Sequence, residues 1–538
     1  MDAPQEKAPD GRPEAGAPPD GAPGQGAADG RPGEGPDEGP DTAVDTGPSS
    51  GAAPESGTDG ADAPTPGLAA SLVPMAAVVA ILVGGIGVLQ YPAELMLIFA
   101  AVVLALFAAR HGRGLTTVLT DMGEKVKRAL PAILILLSIG MLIGTWMVAG
   151  TIPLMVAYGL ELIDPSYLYV LAFVVTAIVA TFTGTSWGAG GTVGVALIGV
   201  AQTMDVSVAV TAGAVVSGAY FGDKLSPLSD TTNMSSLAAG ADLYEHIRHM
   251  LYTSVPSSLV AAAVFLAAGT AIGGTPSGLG AVDATVDELH GLFHLSPVLL
   301  IPPVVVLVGS LMRKPPLLVL FASSLSALLL AAVVQGFGPG ELFDAAVSGF
   351  TADMLGAGAV SDTLAELLER GGLHAMYNSA FFVFCAFFFA AALENSGVLR
   401  VLLSRMIARL RTAGGLVSAT LLSGFAIING TSNALVTYFL VNDLYGKAYR
   451  RRGLHPVNLS RSMEDSVTIT EVLMPWTVSG VFFATTLGVA NFDFLPWAVF
   501  NWSGVVFSAL IAFLAPLTGW FGVRRLGREA EGRPRGAG

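Results

Sequence analysis

The chain has 538 residues, 52% of them apolar and 13% charged, with a mean hydropathy of +0.64 and a formal net charge of −14. Such a composition excludes an ordinary soluble globule and fits a polytopic membrane protein. The net charge excludes little, because 3 of the 27 Lys/Arg and 14 of the 41 Asp/Glu fall in residues 1–67, leaving 24 bases against 27 acids elsewhere.

Residues 1–67 are Pro, Gly, Ala and acidic residues with almost no aliphatic clusters. They cannot bury enough apolar surface to offset the entropy of ordering, so a disordered acidic cytoplasmic tail is expected there. A signal peptide is not expected, since a basic start followed by an apolar run is missing. Beyond the tail, stretches apolar enough to cross a roughly 30 Å hydrocarbon core run near 71–90, 94–109, 129–150, 250–272, 296–312, 315–335, 377–394 and 496–520. Four more regions, 167–205, 206–244, 416–445 and 462–490, are apolar but interrupted by polar and helix-breaking residues. The lone Cys385 sits in a Phe-rich apolar run without a companion for a disulfide or a thiolate metal site.

Basic residues gather on cytoplasmic loops. Arg110 to Arg128, Arg313 and Lys314, Arg400 to Arg411, Lys447 to Arg452 and Arg524 to Arg528 therefore mark the cytoplasmic side, whereas 273–295 and 336–369 carry acids without Lys or Arg and suit the outside. Threaded through these constraints, both termini are cytoplasmic. Segment 167–205 enters from outside and returns, and 206–244 crosses inward with a break at Asp223 to Asp230. Segment 416–445 enters from the cytoplasm and returns, and 462–490 crosses outward with a break near Asp465 to Thr470. The predicted fold is an all-α polytopic membrane protein with about 10 transmembrane helices plus two re-entrant hairpins in an inverted repeat. Its transmembrane domain covers 68–525, with 129–272 and 377–520 as the repeats and 526–538 as a short cytoplasmic tail. The 336–376 connection is expected to be an external amphipathic segment.

The chemistry concentrates in two lookalike stretches. One runs Gly222-Asp223-Lys224-Leu225-Ser226-Pro227-Leu228-Ser229-Asp230; the other runs Glu464-Asp465-Ser466-Val467-Thr468-Ile469-Thr470-Glu471. Each follows a Gly-Thr-Ser, Gly184-Thr185-Ser186 and Gly430-Thr431-Ser432. An ionisable side chain at membrane depth costs about 2.5–3.5 kcal/mol on insertion scales, so it marks function by default. Paired polar breaks in two halves point to a transporter's substrate site.

A small hard cation takes oxygen ligands and one or two carboxylates. Asp223 and Asp465 are the first candidates, binding Na+ when ionised and H+ when protonated; Asp230 and Glu471 are the second. The oxygens of Thr185, Ser186, Ser226, Ser229, Thr431, Ser432, Asn433, Ser466 and Thr468 complete the candidate set. Hydroxyls in membrane helices also bond their own backbone or a neighbouring helix, so each has a purely structural alternative. Lys224 is expected either to keep Asp223 ionised as its charge partner or to snorkel toward an interface. The seven histidines fall in loops or at helix ends and receive no role. The run Gly188 to Gly194 lacks the Lys-Ser/Thr of a phosphate cradle and reads as helix packing.

The tip Gly184-Thr185-Ser186-Trp187-Gly188, the run from Ser217 to Asn233 and the stretch from Asp242 to Tyr252 strongly resemble the NhaC-type Na+/H+ antiporters. The likeness covers about residues 70 to 520, including Arg370-Gly371-Gly372-Leu373 and Asn429-Gly430-Thr431-Ser432-Asn433. It implies an inverted-repeat ion transporter with paired hairpins, performing Na+/H+ exchange or Na+-coupled exchange of organic acids. The expectation is a secondary active transporter of the plasma membrane, not an enzyme, exchanging Na+ for H+ by alternating access. It needs no cofactor and no nucleic-acid partner; the bilayer surrounds it, and a homodimer is the assembly to test. One alternative is a Na+/H+-coupled exchanger of small carboxylates or amino acids, which requires a cationic anchor. A remote one is an intramembrane aspartyl protease, in which Asp223 and Asp465 share a proton; Tyr220 stands where that family's first glycine is required.

Overall fold

The computed structural model describes residues 67–89, 91–112, 114–272, 279–356, 360–399, 401–402, 412–519 and 521–526. The tail expected over 1–67 lies outside them except for Gly67, and so do residues 527–538. Among the described residues the chain is helical almost throughout, and the sole β pairing is an isolated bridge between Leu454 and Arg525. Among the described residues eight helices are long and apolar enough to cross a membrane, or ten if each of two sharply bent pairs counts as one span. The solvent rule is inverted as lipid demands: Val73, Leu325 and Phe384 face outward, while Asp223, Lys224, Arg461, Glu464 and Asp465 are buried.

The first hairpin consists of the helix Leu168–Thr183, a turn at Gly184 and Thr185, and a helical return over 186–203. The helix Val208–Leu225 then runs parallel to Leu168–Thr183, with Gly218 against the backbone of Phe173 and Gly222 against that of Ala177. Glycines spaced by four present a flat stripe that lets two helix backbones touch, the usual small-residue device of membrane helices. Farther along, Gly269 in the helix Leu243–Ile272 meets the backbone of Ser166, so that helix and the hairpin share one face. Thirty residues of helix rise about 45 Å and sixteen about 24 Å. Although this arm is among the eight long apolar helices, the Gly184 tip packs on Leu228 and Ser229 and so ends inside the fold, as a re-entrant hairpin requires.

The second hairpin repeats the form with helices Ala413–Thr431 and Ala434–Arg451 on either side of Ser432. Tyrosines zip its arms: the Tyr445 hydroxyl donates to Ala419 O at 3.0 Å and lies 2.5 Å from Ser423 Oγ, and the Tyr449 hydroxyl donates to Thr420 Oγ1 at 3.1 Å. At the open end Arg452 Nη1 donates to Thr412 O at 3.0 Å.

Each hairpin is followed by a broken helix. In the first, Val208–Leu225 gives way at 226–229 to Asp230–Ala239. In the second, helix continues through Glu464–Thr468 as a π-helical turn and on to Glu471, and the chain leaves regular helix only at 472–477. The break expected near Asp465 to Thr470 thus lies a few residues later. Pro227 and Pro475 sit within the two gaps, and a proline N lacking hydrogen explains why each helix stops there.

The 336–376 connection differs from the amphipathic surface segment expected of it. It folds into the helices Pro339–Val347 and Asp362–Leu368 with short 3-10 turns, and it buries Phe350, Leu364, Leu367 and Leu368 in the main core. Gly371 and Gly372, at φ of 83° and 84°, enter a notch made by Gly140 and Gly144 of the helix Leu115–Val148, where Gly372 N donates to Gly140 O at 2.7 Å. Neighbouring leucines face inward because the loop descends between helices instead of lying over them.

Candidate ion-binding site

The first hairpin tip docks on the first helix break. Gly184 adopts a left-handed φ of 67°, and Thr185 Oγ1 accepts from Gly188 N at 3.3 Å to start the return arm. A Cβ at position 184 would lie 2.7 Å from Leu228 Cβ and 2.9 Å from Ser229 N, so only glycine permits this approach. Asp223 occupies the last turn of the helix beneath, 3% exposed, with no hydrogen-bond partner for Oδ1 among the described residues. Its polar neighbours are Ser186, through both side chain and backbone, and the hydroxyl of Ser229; the charge of Asp230 also acts on it.

The second helix break reaches the same place. Glu471 is faced by the side chain and backbone of Ser479, and Trp187 Nε1 of the first tip donates to Ser479 Oγ at 3.3 Å. Trp187 stacks on Phe482 with centroids 4.5 Å apart. Tyr220, one turn before Asp223, turns a hydroxyl without a partner among the described residues toward Glu471, Asp223, Ser479 and Ser186. The first tip and the first break thus meet Asp223 with the hydroxyls of Ser186 and Ser229 and the backbone of Ser186, and Tyr220 and Trp187 link that place to Glu471 and Ser479 of the second half. Of the others, Ser226 Oγ accepts from Leu228 N at 3.2 Å, Ser229 Oγ lies 3.0 Å from Thr231 Oγ1, and the exposed Asp230 accepts from Thr231 N at 2.9 Å.

Asp465 is placed differently. Its Oδ1 receives Lys224 Nζ and, at 3.1 Å, the Thr253 hydroxyl, while Oδ2 lies 3.8 Å from Arg461 Nε. All three ionic side chains are fully buried. Lys224 therefore pairs with the acid of the other half and not with Asp223, its chain neighbour. Around the second tip, hydroxyls and amides serve the backbone and one another. Ser432 takes a left-handed φ of 46°, Asn433 Oδ1 caps Val436 N at 3.0 Å, and Thr431 Oγ1 lies 2.9 Å from Thr437 Oγ1. Ser466 Oγ donates to Ser462 O at 2.6 Å, and Thr468 Oγ1 lies 2.6 Å from the Tyr438 hydroxyl.

Three residues without a role in the sequence reading stand in this centre. Glu464 is fully buried and accepts from Ser235 Oγ at 2.8 Å. His246 and His249 belong to the helix Leu243–Ile272, whose polar first turns fold inward. His246 lies between Ser235 and Ser460, and His249 between Asn458 and Arg461. Setting the histidines aside as helix-end residues missed that this end is buried; the one signal available was Glu464 beside Asp465 within the lookalike.

The charges do not balance. Lys224 and Arg461 both meet Asp465, so Asp223, Glu464 and Glu471 have no basic ion-pair partner among the described residues. Nor do the described residues hold a cluster of three His, Cys, Asp or Glu able to chelate a metal. An aspartyl-protease dyad finds no support in this geometry, because Asp465 is committed to Lys224 and Thr253.

Uncompensated carboxylates where two broken helices and a re-entrant tip meet, inside a helical membrane scaffold, define a secondary transporter of ions. The chain belongs to the Na+/H+ antiporter family, whose model matches residues 69–242 and 218–515. It is 42% identical over 430 residues to an uncharacterized Na+/H+ antiporter of Haemophilus influenzae, covering 79% of this chain and 91% of that one. It is 32% identical over 444 residues to the Na+/H+ antiporter NhaC of Alkalihalophilus pseudofirmus, covering 82% and 95%. A malate-2H+/Na+-lactate antiporter of Bacillus subtilis is 33% identical over 434 residues, covering 80% and 91%.

Proposed function

We propose that this chain exchanges Na+ for H+ across the plasma membrane by alternating access, with both termini in the cytoplasm. Asp223 is the carboxylate that receives Na+, assisted by the oxygens of Ser186 and Ser229. The observation that carries this is the buried Asp223 Oδ1, without a partner among the described residues, where the first tip docks on the first break. A buried anion without a counter-ion is costly, and bound Na+ relieves the cost; protonation of the carboxylates around the site opposes Na+ by removing the negative charge that holds it. Asp465 supplies no free charge, since Lys224 and Arg461 already offset it. In proteoliposomes with an internal pH dye, added Na+ should drive proton movement without any organic substrate. Proton movement that requires malate or lactate would contradict this reading.

A second reading, Na+- and H+-coupled exchange of small carboxylates, is favoured by one observation. At the end of the helix Val478–Leu487 away from Ser479, a cavity of about 410 Å³ is lined by Arg370, Glu369 and Thr486, and the Thr486 hydroxyl lacks a partner among the described residues. A guanidinium beside a free hydroxyl suits a carboxylate. The same assay separates the readings.

A further inference from the structure

We propose that Glu464 carries the exchanged proton, on a route separate from the Na+ carboxylate Asp223, and that His246 and Ser235 relay the proton to it. The inference rests on the Na+/H+ reading above and assigns its proton half. A continuous hydrogen-bonded chain supports it. Ser460 Oγ lies 2.8 Å from His246 Nδ1, His246 Nε2 lies 3.2 Å from Ser235 Oγ, and Ser235 Oγ donates to Glu464 Oε1 at 2.8 Å. All four residues are buried, and Glu464 Oε2 has no partner among the described residues.

In the relay-competent arrangement Ser235 gives its one hydroxyl hydrogen to Glu464, at 2.8 Å, in preference to Thr232 O at 3.2 Å, and accepts from Nε2–H, while Nδ1 accepts from Ser460, whose other acceptor is Val457 O at 3.2 Å. When a proton arrives at Nδ1 through Ser460, the Nε2 proton passes to Ser235 Oγ and the Ser235 proton passes to Glu464 Oε1. The ring ends as the other neutral tautomer, the carboxylate ends as the acid, and one proton has moved; reverse passage resets the chain. His246 lies one helical turn from His249, which lines a cavity of about 500 Å³ together with Glu245, Arg248 and Tyr252.

Charges on every packed element bear on the two titrating groups. Glu464 is faced by Lys224 and Asp223 from one helix and by Tyr438 from the second hairpin, with Asp465 and Arg461 close in its own sequence. His246 is faced by Lys224 and Arg461, with His249 one turn away. The field between Asp223 and Glu464 couples the two ions. Sodium at Asp223 removes a negative charge near Glu464 and favours its deprotonation; a proton on Glu464 likewise removes the repulsion at Asp223.

The test pairs two fluxes in proteoliposomes of the full chain: Na+-driven proton movement, read by an internal pH dye, and ²²Na+ entry against trapped Na+, which needs no proton. Glu464→Gln should lower the first by about a hundredfold and flatten its pH profile while ²²Na+ exchange persists. His246→Gln should slow the first by about tenfold with the same sparing. Glu464→Asp keeps a titratable group and should restore a pH-dependent proton flux, which separates chemistry from misfolding. Asp223→Asn should lose both fluxes. Full proton flux in Glu464→Gln overturns the proposal, as does equal loss of both fluxes in Glu464→Gln with no recovery in Glu464→Asp. Absence of Na+-driven proton movement in the unaltered protein overturns the exchange reading, and the relay with it.

Discussion

The two halves share a form and divide the chemistry. Both place a left-handed residue at a hairpin tip, Gly184 in one and Ser432 in the other, and both follow it with a helix broken around a proline. In the first half the acid of the break, Asp223, has no basic ion-pair partner among the described residues, since the adjoining Lys224 turns to Asp465. In the second half Asp465 meets Arg461 from its own helix and Lys224 from the first half. A repeat in sequence is therefore not a repeat in charge: one half leaves a negative site open, and the other supplies a locked pair that ties the halves together.

The largest contrast should come from neutralising the two aspartates. Asp223→Asn keeps the shape and removes the titratable charge; a folded protein is expected whose Na+-driven proton flux falls to background. Asp465→Asn leaves Lys224 and Arg461 buried without their anion, which should cost about 3–5 kcal/mol of stability, read as a lower unfolding midpoint in detergent. Adding Lys224→Met to Asp465→Asn should recover most of that loss. Equal unfolding midpoints for the two single variants would erase the distinction between the halves.

The tips should respond in opposite directions. Gly184→Ala must hold a left-handed φ and displace Leu228 at 2.7 Å, for a cost of about 1–3 kcal/mol and slower exchange. Ser432→Gly relieves the same backbone strain and should stabilise by about 0.5–1 kcal/mol. Thermal midpoints and flux rates of the two variants check this.

The smallest effect lies at the C-terminal strap. Residues 521–526 fold back on the start of the helix Pro456–Met463, where His455 N donates to Arg524 O and Leu526 N to Gly453 O. Burial, then the nearby Arg524, hold the His455 imidazole below its usual value, against the weaker pull of Glu245. A depressed histidine favours the neutral, docked form, so docking should be complete above about pH 6.5 and weaken as pH falls below it. Hydrogen exchange at the Leu526 amide, corrected for intrinsic rate, should accelerate on acidification.

Much of this was legible in the chain. Apolar runs near 71–90, 94–109 and 129–150 became helices, because twenty apolar residues in lipid have few other ways to satisfy their backbone. The first Gly-Thr-Ser and the polar break after it pointed to segments that the fold brings together, Gly184 packing on Leu228 and Ser229 above the buried Asp223. Pairing was not legible, since nothing local tells Lys224 to cross to Asp465 when Asp223 adjoins it; helix geometry sends neighbouring side chains in different directions. Burial at helix starts was also hidden. His246, His249 and Glu464 read as a polar end until the second half covers them, and the inward loop at Gly371–Gly372 depends on a notch in a helix more than 200 residues away.

The most direct test of the open-and-locked division compares Na+-driven proton flux, at equal protein, in Asp223→Asn and in the doubly neutralised Asp465→Asn/Lys224→Met. The first should be silent though folded, and the second should retain measurable flux, because it removes a closed pair and leaves the open carboxylate. A silent but folded double variant, or an active Asp223→Asn, would contradict the assignment of Na+ to Asp223.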